Sequence, residues 1–167
     1  MGINMEKKLL NLSKKLVLHL PIFMDIAVET LSSFTSLEAK KNKHEIKEFD
    51  TSLEGDFITA VMQFKGDIHG TFVLIVPNDI AMITIESLLD EKVDINDFDT
   101  LKDGIGEFCN IITGSIKTAL SKDNINITFA LPKTYMSLST TKGVVGEEKG
   151  LWVDLELSKM PFYIFIA

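Results

Sequence analysis

Two apolar segments joined by a short turn constrain the fold more than any other feature of the sequence. Branched and aromatic residues, which favour β-strands, dominate Phe57–Phe64 and Ile68–Val76, and the letters KGD between them are typical of a turn. Gly66 can supply the positive φ angle that such a turn needs. The second segment is apolar without alternation from Phe72 to Val76, as in strands that are covered on both faces. The sequence therefore predicts a β-hairpin inside a covered sheet.

Helical spacing of apolar residues appears on both sides of this hairpin. An amphipathic helix is predicted from Pro21 to about Leu37. A second helix is predicted after Pro77, with Asn78 as its N-cap, and a third over residues 101–121. The order of these helices and of the strands around them predicts an α+β domain in which helices pack on a mostly antiparallel β-sheet.

The remaining predicted strands are shorter than the two of the hairpin. The polar letters EAKKNKHE are interpreted as a solvated loop, followed by a short strand at residues 45–50. Four further strands are predicted: Ile125–Leu131, Tyr135–Thr141, Leu151–Leu157 and Phe162–Ile166. Because the last of them runs to the end of the sequence, we expect it to form an exposed edge of the sheet.

Composition limits the classes of function. The 167 residues are 46% hydrophobic, which suits a single domain with a sizeable core. The formal net charge of -7 disfavours nucleic acid as a partner, because such binding depends on a basic face. One cysteine, Cys109, allows no internal disulfide or cysteine-rich zinc site, and no two histidines are spaced i,i+4. We expect no metal site, and we interpret Cys109 as a small buried residue.

Residues 1–20 are interpreted as a lead-in segment before a single domain at residues 21–167. His19 and Pro21 interrupt the early apolar stretch, which is too short to span a membrane, and no small-residue cleavage site follows it. We expect a short amphipathic helix here, or in part a vector-derived remnant. The protein is expected to be cytoplasmic, without a membrane partner.

The predicted helix over residues 101–121 has two distinct faces. At about 100° per residue, roughly one third of the circumference is apolar. This core face contains Leu101, Ile105, Phe108, Ile112, Ile116 and Ala119. A polar stripe almost opposite contains Asp103, Glu107, Asn110, Gly114, Lys117 and Ser121. Glu107 and Asn110 stand three residues apart, so their side chains should be neighbours on the surface.

Three glycines make this helix unusual. Each of Gly104, Gly106 and Gly114 costs about 1 kcal/mol of helix stability relative to alanine. Small residues beside a carboxylate and an amide would let a partner approach the helix backbone closely. We therefore interpret the polar stripe as a docking face, and an ordinary solvated face is the alternative.

The spacing Asp103-x-x-x-Glu107-x-x-Asn110 resembles the signature of the CheC/CheX/FliY family of bacterial chemotaxis phosphatases. That signature ends in a proline further along the chain, and Pro132 stands one residue closer than the pattern has it. The letters GEFCNIITG are similar to the context of the motif in CheX in particular. The order of predicted elements also matches CheX over roughly residues 21–167, so the resemblance implies a CheC/CheX-like fold.

This resemblance implies a function in two-component signalling. The chain would be a CheX-like phosphatase that removes phosphate from the aspartyl-phosphate of a CheY-type response regulator. Asn110 would orient the attacking water and Glu107 would dock on the lysine of the regulator, as the catalytic residues. The partner-docking residues would be Asp103, Gly106, Gly114 and Lys117. No cofactor of its own is implied, because the Mg²⁺ would belong to the regulator, and CheX-like proteins are homodimers.

Several alternatives stay open. Ser115 stands where CheX sequences often have Asn, so the chain could be a non-catalytic module that binds a response regulator or a chemosensory or flagellar partner. It could also be a structural dimerisation domain that pairs through an exposed C-terminal strand. In the first helix, Asp25, Glu29 and Ser32 repeat the motif spacing, as an ordinary polar helix face or a relic second site.

Overall fold

A computed structural model describes residues 14–167, and residues 1–13, which include most of the predicted lead-in segment, lie outside it. The elements in chain order are α1 (Lys14–Thr35), β1 (Ala39–Lys47), β2 (Phe57–Gly66), β3 (Gly70–Pro77), α2 (Asn78–Leu89), α3 (Phe98–Lys122), β4 (Ile127–Phe129), β5 (Lys133–Tyr135), α4 (Leu138–Val145), β6 (Gly150–Leu157) and β7 (Met160–Ile166). Helices thus pack on an antiparallel sheet, and the predicted α+β fold class is confirmed.

The sheet within the described residues has seven strands in the order β1-β6-β7-β3-β2-β4, with β5 also paired to β2. All of the pairs are antiparallel. The predicted hairpin is confirmed, because β2 and β3 pair from Phe57 with Pro77 to Phe64 with Gly70. Gly66 has a φ angle of 138° in the turn region, where a side chain would be strained.

Both faces of the central strands are covered, as the sequence predicts. On one face, α1, α2 and α3 pack over Ile58, Leu74 and the alternate residues that share their orientation. On the other face, Phe49 makes edge contacts with Trp152 and Phe165, with ring centroids 5.5 and 5.6 Å apart. The helix α4 is held on this second face by a buried hydrogen bond between the hydroxyl groups of two threonines, Thr59 and Thr141, at 2.6 Å.

The first helix differs from its prediction because it begins at Lys14 and runs through Pro21. Proline often marks the first turn of a helix, but Pro21 lies on the exposed side of α1, where an unpaired backbone carbonyl can bind water. The helix thus crosses the predicted boundary after residue 20, and Leu16 and Leu20 are buried in the core.

By length and composition α1 could also span a membrane; a helix packed into the core of a soluble protein passes the same test.

The prediction of a solvated loop at residues 38–45 is wrong, because most of this segment belongs to β1. This strand pairs with β6 along its length, from Ala39 with Leu157 to Lys47 with Gly150. It is an edge strand with solvent around most of its side chains, so it has no apolar alternation that the sequence could reveal. Charged side chains on edge strands oppose pairing with other molecules.

The final strand is not an exposed edge. β7 lies between β6 and β3 and pairs with both, and its Ile164 and Ile166 are completely buried. Dimerisation through an exposed C-terminal strand is therefore wrong for this fold.

The strand predicted over Tyr135–Thr141 is also wrong in most of its length, because α4 begins at Leu138. Ser137 precedes this helix, and its side chain accepts a hydrogen bond from the Thr140 amide.

Asn78 is not the N-cap of the second helix. It is the first residue of α2, and Pro77 occupies the cap position without a side-chain hydrogen bond. The side-chain oxygen of Asn78 is buried and finds no hydrogen-bond partner among the described residues. The structure thus orients this side chain inward, although its residue type favours capping.

Candidate functional site

Helix α3 carries the candidate site, and the sequence explains why this long helix forms. Asp97 caps it, with its side chain accepting hydrogen bonds from the Thr100 amide at 3.2 Å and the Thr100 hydroxyl at 2.7 Å. The apolar face then packs on the sheet, with Ile105 and Ile116 fully buried. One member of the predicted core face differs, since Leu120 is buried in place of Ala119, which is partly exposed.

The polar stripe lies on the solvent side of α3, as the helical wheel predicts. Asp103, Glu107, Gly114 and Lys117 are exposed, and Asn110 is half-buried. Across residues 14–167, the side chains of Asp103, Glu107 and Asn110 make no hydrogen bond or ion pair with the rest of the chain. A carboxylate and an amide therefore stand side by side on the surface, with their hydrogen-bonding capacity directed to solvent or to a partner.

The three glycines of α3 have different structural reasons. A Cβ atom on Gly104 would lie 2.5 Å from Cγ1 of Ile85, so glycine is needed where α2 packs against α3. A Cβ atom on Gly106 would lie 3.4 Å from Thr134 Cγ2 and 3.6 Å from Pro132 Cγ. Gly106 is buried beneath these side chains, although the sequence predicts it as a partner-docking residue beside the stripe.

No steric clash within the described residues explains the glycine at position 114. A Cβ atom built on it would meet no heavy atom within 4 Å. It lies in a shallow groove of about 370 Å³ between α1 and α3, whose lining includes Ile26, Asn110 and Thr118. A glycine that costs helix stability without relieving an internal clash is consistent with close approach by another molecule.

The second candidate site, on α1, is less available. Asp25 and Glu29 are exposed, but the hydroxyl of Ser32 donates a hydrogen bond to the Leu37 carbonyl at 2.8 Å. Ser32 is the third residue of the repeated spacing, and this hydrogen bond ties its side chain to the backbone just after the C-terminus of α1. The arrangement favours an ordinary polar helix face over a relic site.

The described residues offer neither a metal-binding cluster nor an activated thiol. Within residues 14–167, no group of three or more His, Cys, Asp or Glu side chains is placed to hold a metal ion. Cys109 is completely buried in α3, and this burial raises the pKa of its thiol well above the usual range. Because the thiolate is the reactive form of cysteine, Cys109 is part of the core and not a nucleophile.

Comparison with known proteins places this geometry in context. A model of the family described as "Chemotaxis phosphatase CheX" matches residues 58–156, a range that contains the motif on α3 and Pro132. No curated protein matches the sequence.

Solved structures have the same fold at low sequence identity. A chemotaxis protein CheX from Desulfovibrio desulfuricans is 19% identical, with a TM-score of 0.70 over 89% of this chain and 97% of that one. CheX from Vibrio vulnificus gives the same values. CheX from Borrelia burgdorferi, in a complex with CheY, BeF3 and Mg²⁺, is 20% identical, with a TM-score of 0.69 over 89% of this chain and 96% of that one.

The contrast between Gly104 and Gly114 predicts opposite effects of the same substitution. Gly104→Ala should lower the free energy of unfolding by about 1–3 kcal/mol, because the new methyl group overpacks against Ile85. Gly114→Ala should raise it by about 1 kcal/mol, because the helix gains propensity without a clash. Urea unfolding followed by circular dichroism measures both, and two shifts in the same direction would contradict the different roles assigned to the glycines.

Proposed function

Because this chain belongs to the CheX family of chemotaxis phosphatases, we propose that it hydrolyses the aspartyl-phosphate of a CheY-type response regulator. The observation that carries this proposal is the pair formed on α3 by the exposed Glu107 and the half-buried Asn110, whose side chains have no hydrogen-bond or ion-pair partner within residues 14–167. The similar CheX of Borrelia burgdorferi was solved with CheY, BeF3 and Mg²⁺, which supports a regulator as substrate. The alternative is a non-catalytic module that binds the same partner.

Hydrolysis of an acyl phosphate needs few groups from this chain. Phosphoryl transfer depends mainly on the position of the nucleophile and on stabilisation of charge on the phosphoryl oxygens. The regulator would supply the phosphorylated aspartate and the Mg²⁺ ion that neutralises this charge. The remaining task is to hold a water molecule in line with the bond that breaks, and this task suits a neutral hydrogen-bonding side chain.

Asn110 is suited to this positioning role. Its side-chain oxygen can accept a hydrogen bond from the water, and its NH₂ group can donate one to a neighbouring oxygen. As the water oxygen bonds to phosphorus, the bond to the regulator aspartate breaks and its carboxylate leaves. An amide does not accept the proton of the water under these conditions, so that proton passes to the phosphate product. Asn110 therefore contributes orientation and not general base catalysis.

Glu107 would set the register of the complex. Its exposed carboxylate lies three residues from Asn110 on the same helix face, and it can form a charge-assisted hydrogen bond with a lysine of the regulator. Asp103 and Lys117 extend the stripe beyond this pair with opposite charges. Such a pattern favours one orientation of the docked partner over its reverse.

Substitutions in the catalytic pair should separate turnover from binding. Asn110→Ala should lower kcat by about 100-fold or more, because an unoriented water loses most of the advantage of proximity. Its Kd for a beryllofluoride-loaded regulator should change by less than about threefold, since little contact is lost. Glu107→Ala should weaken binding by about tenfold and also lower turnover, because a charged contact is removed.

Phosphate release from an acyl-phosphate-loaded regulator, measured beside Kd, tests these expectations. Glu29→Ala on α1 is the matched control, because it removes an exposed helix carboxylate outside the stripe. Turnover by Asn110→Ala at the wild-type rate would show that the catalytic assignment is wrong. Tight binding by the wild-type chain without any phosphate release, across a panel of loaded regulators, would establish the non-catalytic alternative.

The groove at Gly114 leads to a separate expectation. Gly114→Leu should raise KM for the phosphorylated regulator by about tenfold through obstruction of the close approach, which is worth about 1.4 kcal/mol of binding. Turnover at saturating regulator should change much less than KM. Ser121→Leu places the same side chain at the far end of the stripe and serves as the control. A KM for Gly114→Leu equal to that of the wild-type chain would remove Gly114 from the docking surface.

We also propose that the protein is a cytoplasmic homodimer, on the basis of family membership. The interface cannot use an edge of β7, because β6 and β3 already pair with both of its edges. Multi-angle light scattering should give twice the 18.7 kDa mass of one chain. A mass of a single chain at micromolar concentration, with phosphatase activity intact, would show that the site works without a second copy.

A further inference from the structure

Leu131 is the most exposed of the large hydrophobic side chains in residues 14–167, with a relative exposure of 84%. Single exposed leucines are common on protein surfaces, so exposure alone does not indicate a role. The position of Leu131 in the fold distinguishes it from the others. It occupies the connection between β4 and β5, directly before Pro132.

This connection is held at both of its ends. The backbone amide of Ala130 donates a hydrogen bond to the Gln63 carbonyl at 2.8 Å, and Lys133 pairs with Val61 on the same strand of the sheet. Pro132 restricts the backbone between them. The leucine side chain is therefore presented from a short anchored segment, and little conformational freedom would be lost when a partner covers it.

The same connection packs against α3 at Gly106, next to the candidate site. The ring of Pro132 is so close to α3 that a Cβ atom on Gly106 would be 3.6 Å from Pro132 Cγ. Gly106 precedes Glu107 in sequence, and on the helix it is next to the side of the stripe that Asn110 occupies. Leu131, the residue before Pro132 in the chain, therefore belongs to the segment that packs beside the turn of α3 that carries Glu107 and Asn110.

We propose that Leu131 is an affinity-determining contact for the response regulator, and this inference rests on the proposed function. The stripe itself consists of charges, an amide and a glycine, which provide orientation more than affinity. Interfaces usually derive most of their affinity from a few apolar or aromatic side chains that become fully covered. Leu131 supplies such an anchor, and an apolar surface of the regulator would cover it.

The test compares the same substitution at two exposed leucines. Leu131→Asp should raise both the Kd for the beryllofluoride-loaded regulator and KM by about tenfold or more, equivalent to about 1.4 kcal/mol, and kcat should stay within about twofold. Leu18→Asp is the matched control, because Leu18 is 76% exposed on the N-terminal half of α1, and it should leave Kd, KM and kcat unchanged. Leu131→Met should retain most of the wild-type affinity, because methionine is an apolar side chain of similar size.

The outcomes separate this inference from the proposed function. An active wild-type chain with the same KM and Kd as Leu131→Asp would overturn the role of Leu131 and leave the phosphatase proposal intact. An equal loss of affinity in Leu18→Asp would also overturn it, because the effect would then come from added charge and not from the site. A wild-type chain that neither binds nor dephosphorylates any regulator would overturn the proposed function, and the role of Leu131 with it. Thermal unfolding of each variant confirms that the fold is retained, and Leu131→Ala repeats the comparison without a charge.

Discussion

The site depends on the packing of one face of α3 against the sheet. Ile105, Phe108, Ile112 and Ile116 are buried there, and Phe108 also makes an edge contact with Phe34 of α1, with ring centroids 6.0 Å apart. These contacts fix the rotation of the helix about its axis. A turn by one residue would begin to bury Glu107, and an unpaired buried charge costs several kcal/mol. The apolar residues thus determine where the polar residues point, although they take no part in the proposed chemistry.

The surroundings of α3 divide the helix into a confined half and an open half. At Gly104 and Gly106, a larger side chain would press against neighbouring side chains, namely those of Ile85, Thr134 and Pro132. Around Gly114 the surface is open, and the groove beside it is shallow. The confined half holds the site in place, and the open half admits another molecule. Glu107 and Asn110 lie between the two, where rigidity and access are both available.

The sequence predicted the elements whose pattern reflects burial. The hairpin around Gly66 and the two faces of α3 follow from apolar spacing, because in both cases one side of the element is in the core. Most of β1 was missed, although the strand predicted at residues 45–50 overlaps its end, because its side chains are mostly solvated and charged and no period of two appears in the letters. The role of Gly106 was also missed. Helical spacing places it beside the stripe, but only the three-dimensional position of Pro132 shows that this side of the helix is covered.

The order of the strands in the sheet could not be predicted from the sequence for a related reason. Pairing partners far apart along the chain leave no local signal, so the central place of β7 could not be inferred from its apolar letters alone.

That central place has a consequence for how the molecule is made. β7 connects β6 and β1 on one side with β3, β2 and β4 on the other, and it is the last of the described strands to be translated. Until it emerges, the two parts of the sheet have no hydrogen bonds to each other, and β3 exposes an apolar edge to the cell. Assembly of this domain is therefore a late event in its synthesis, after every other described helix and strand has been translated.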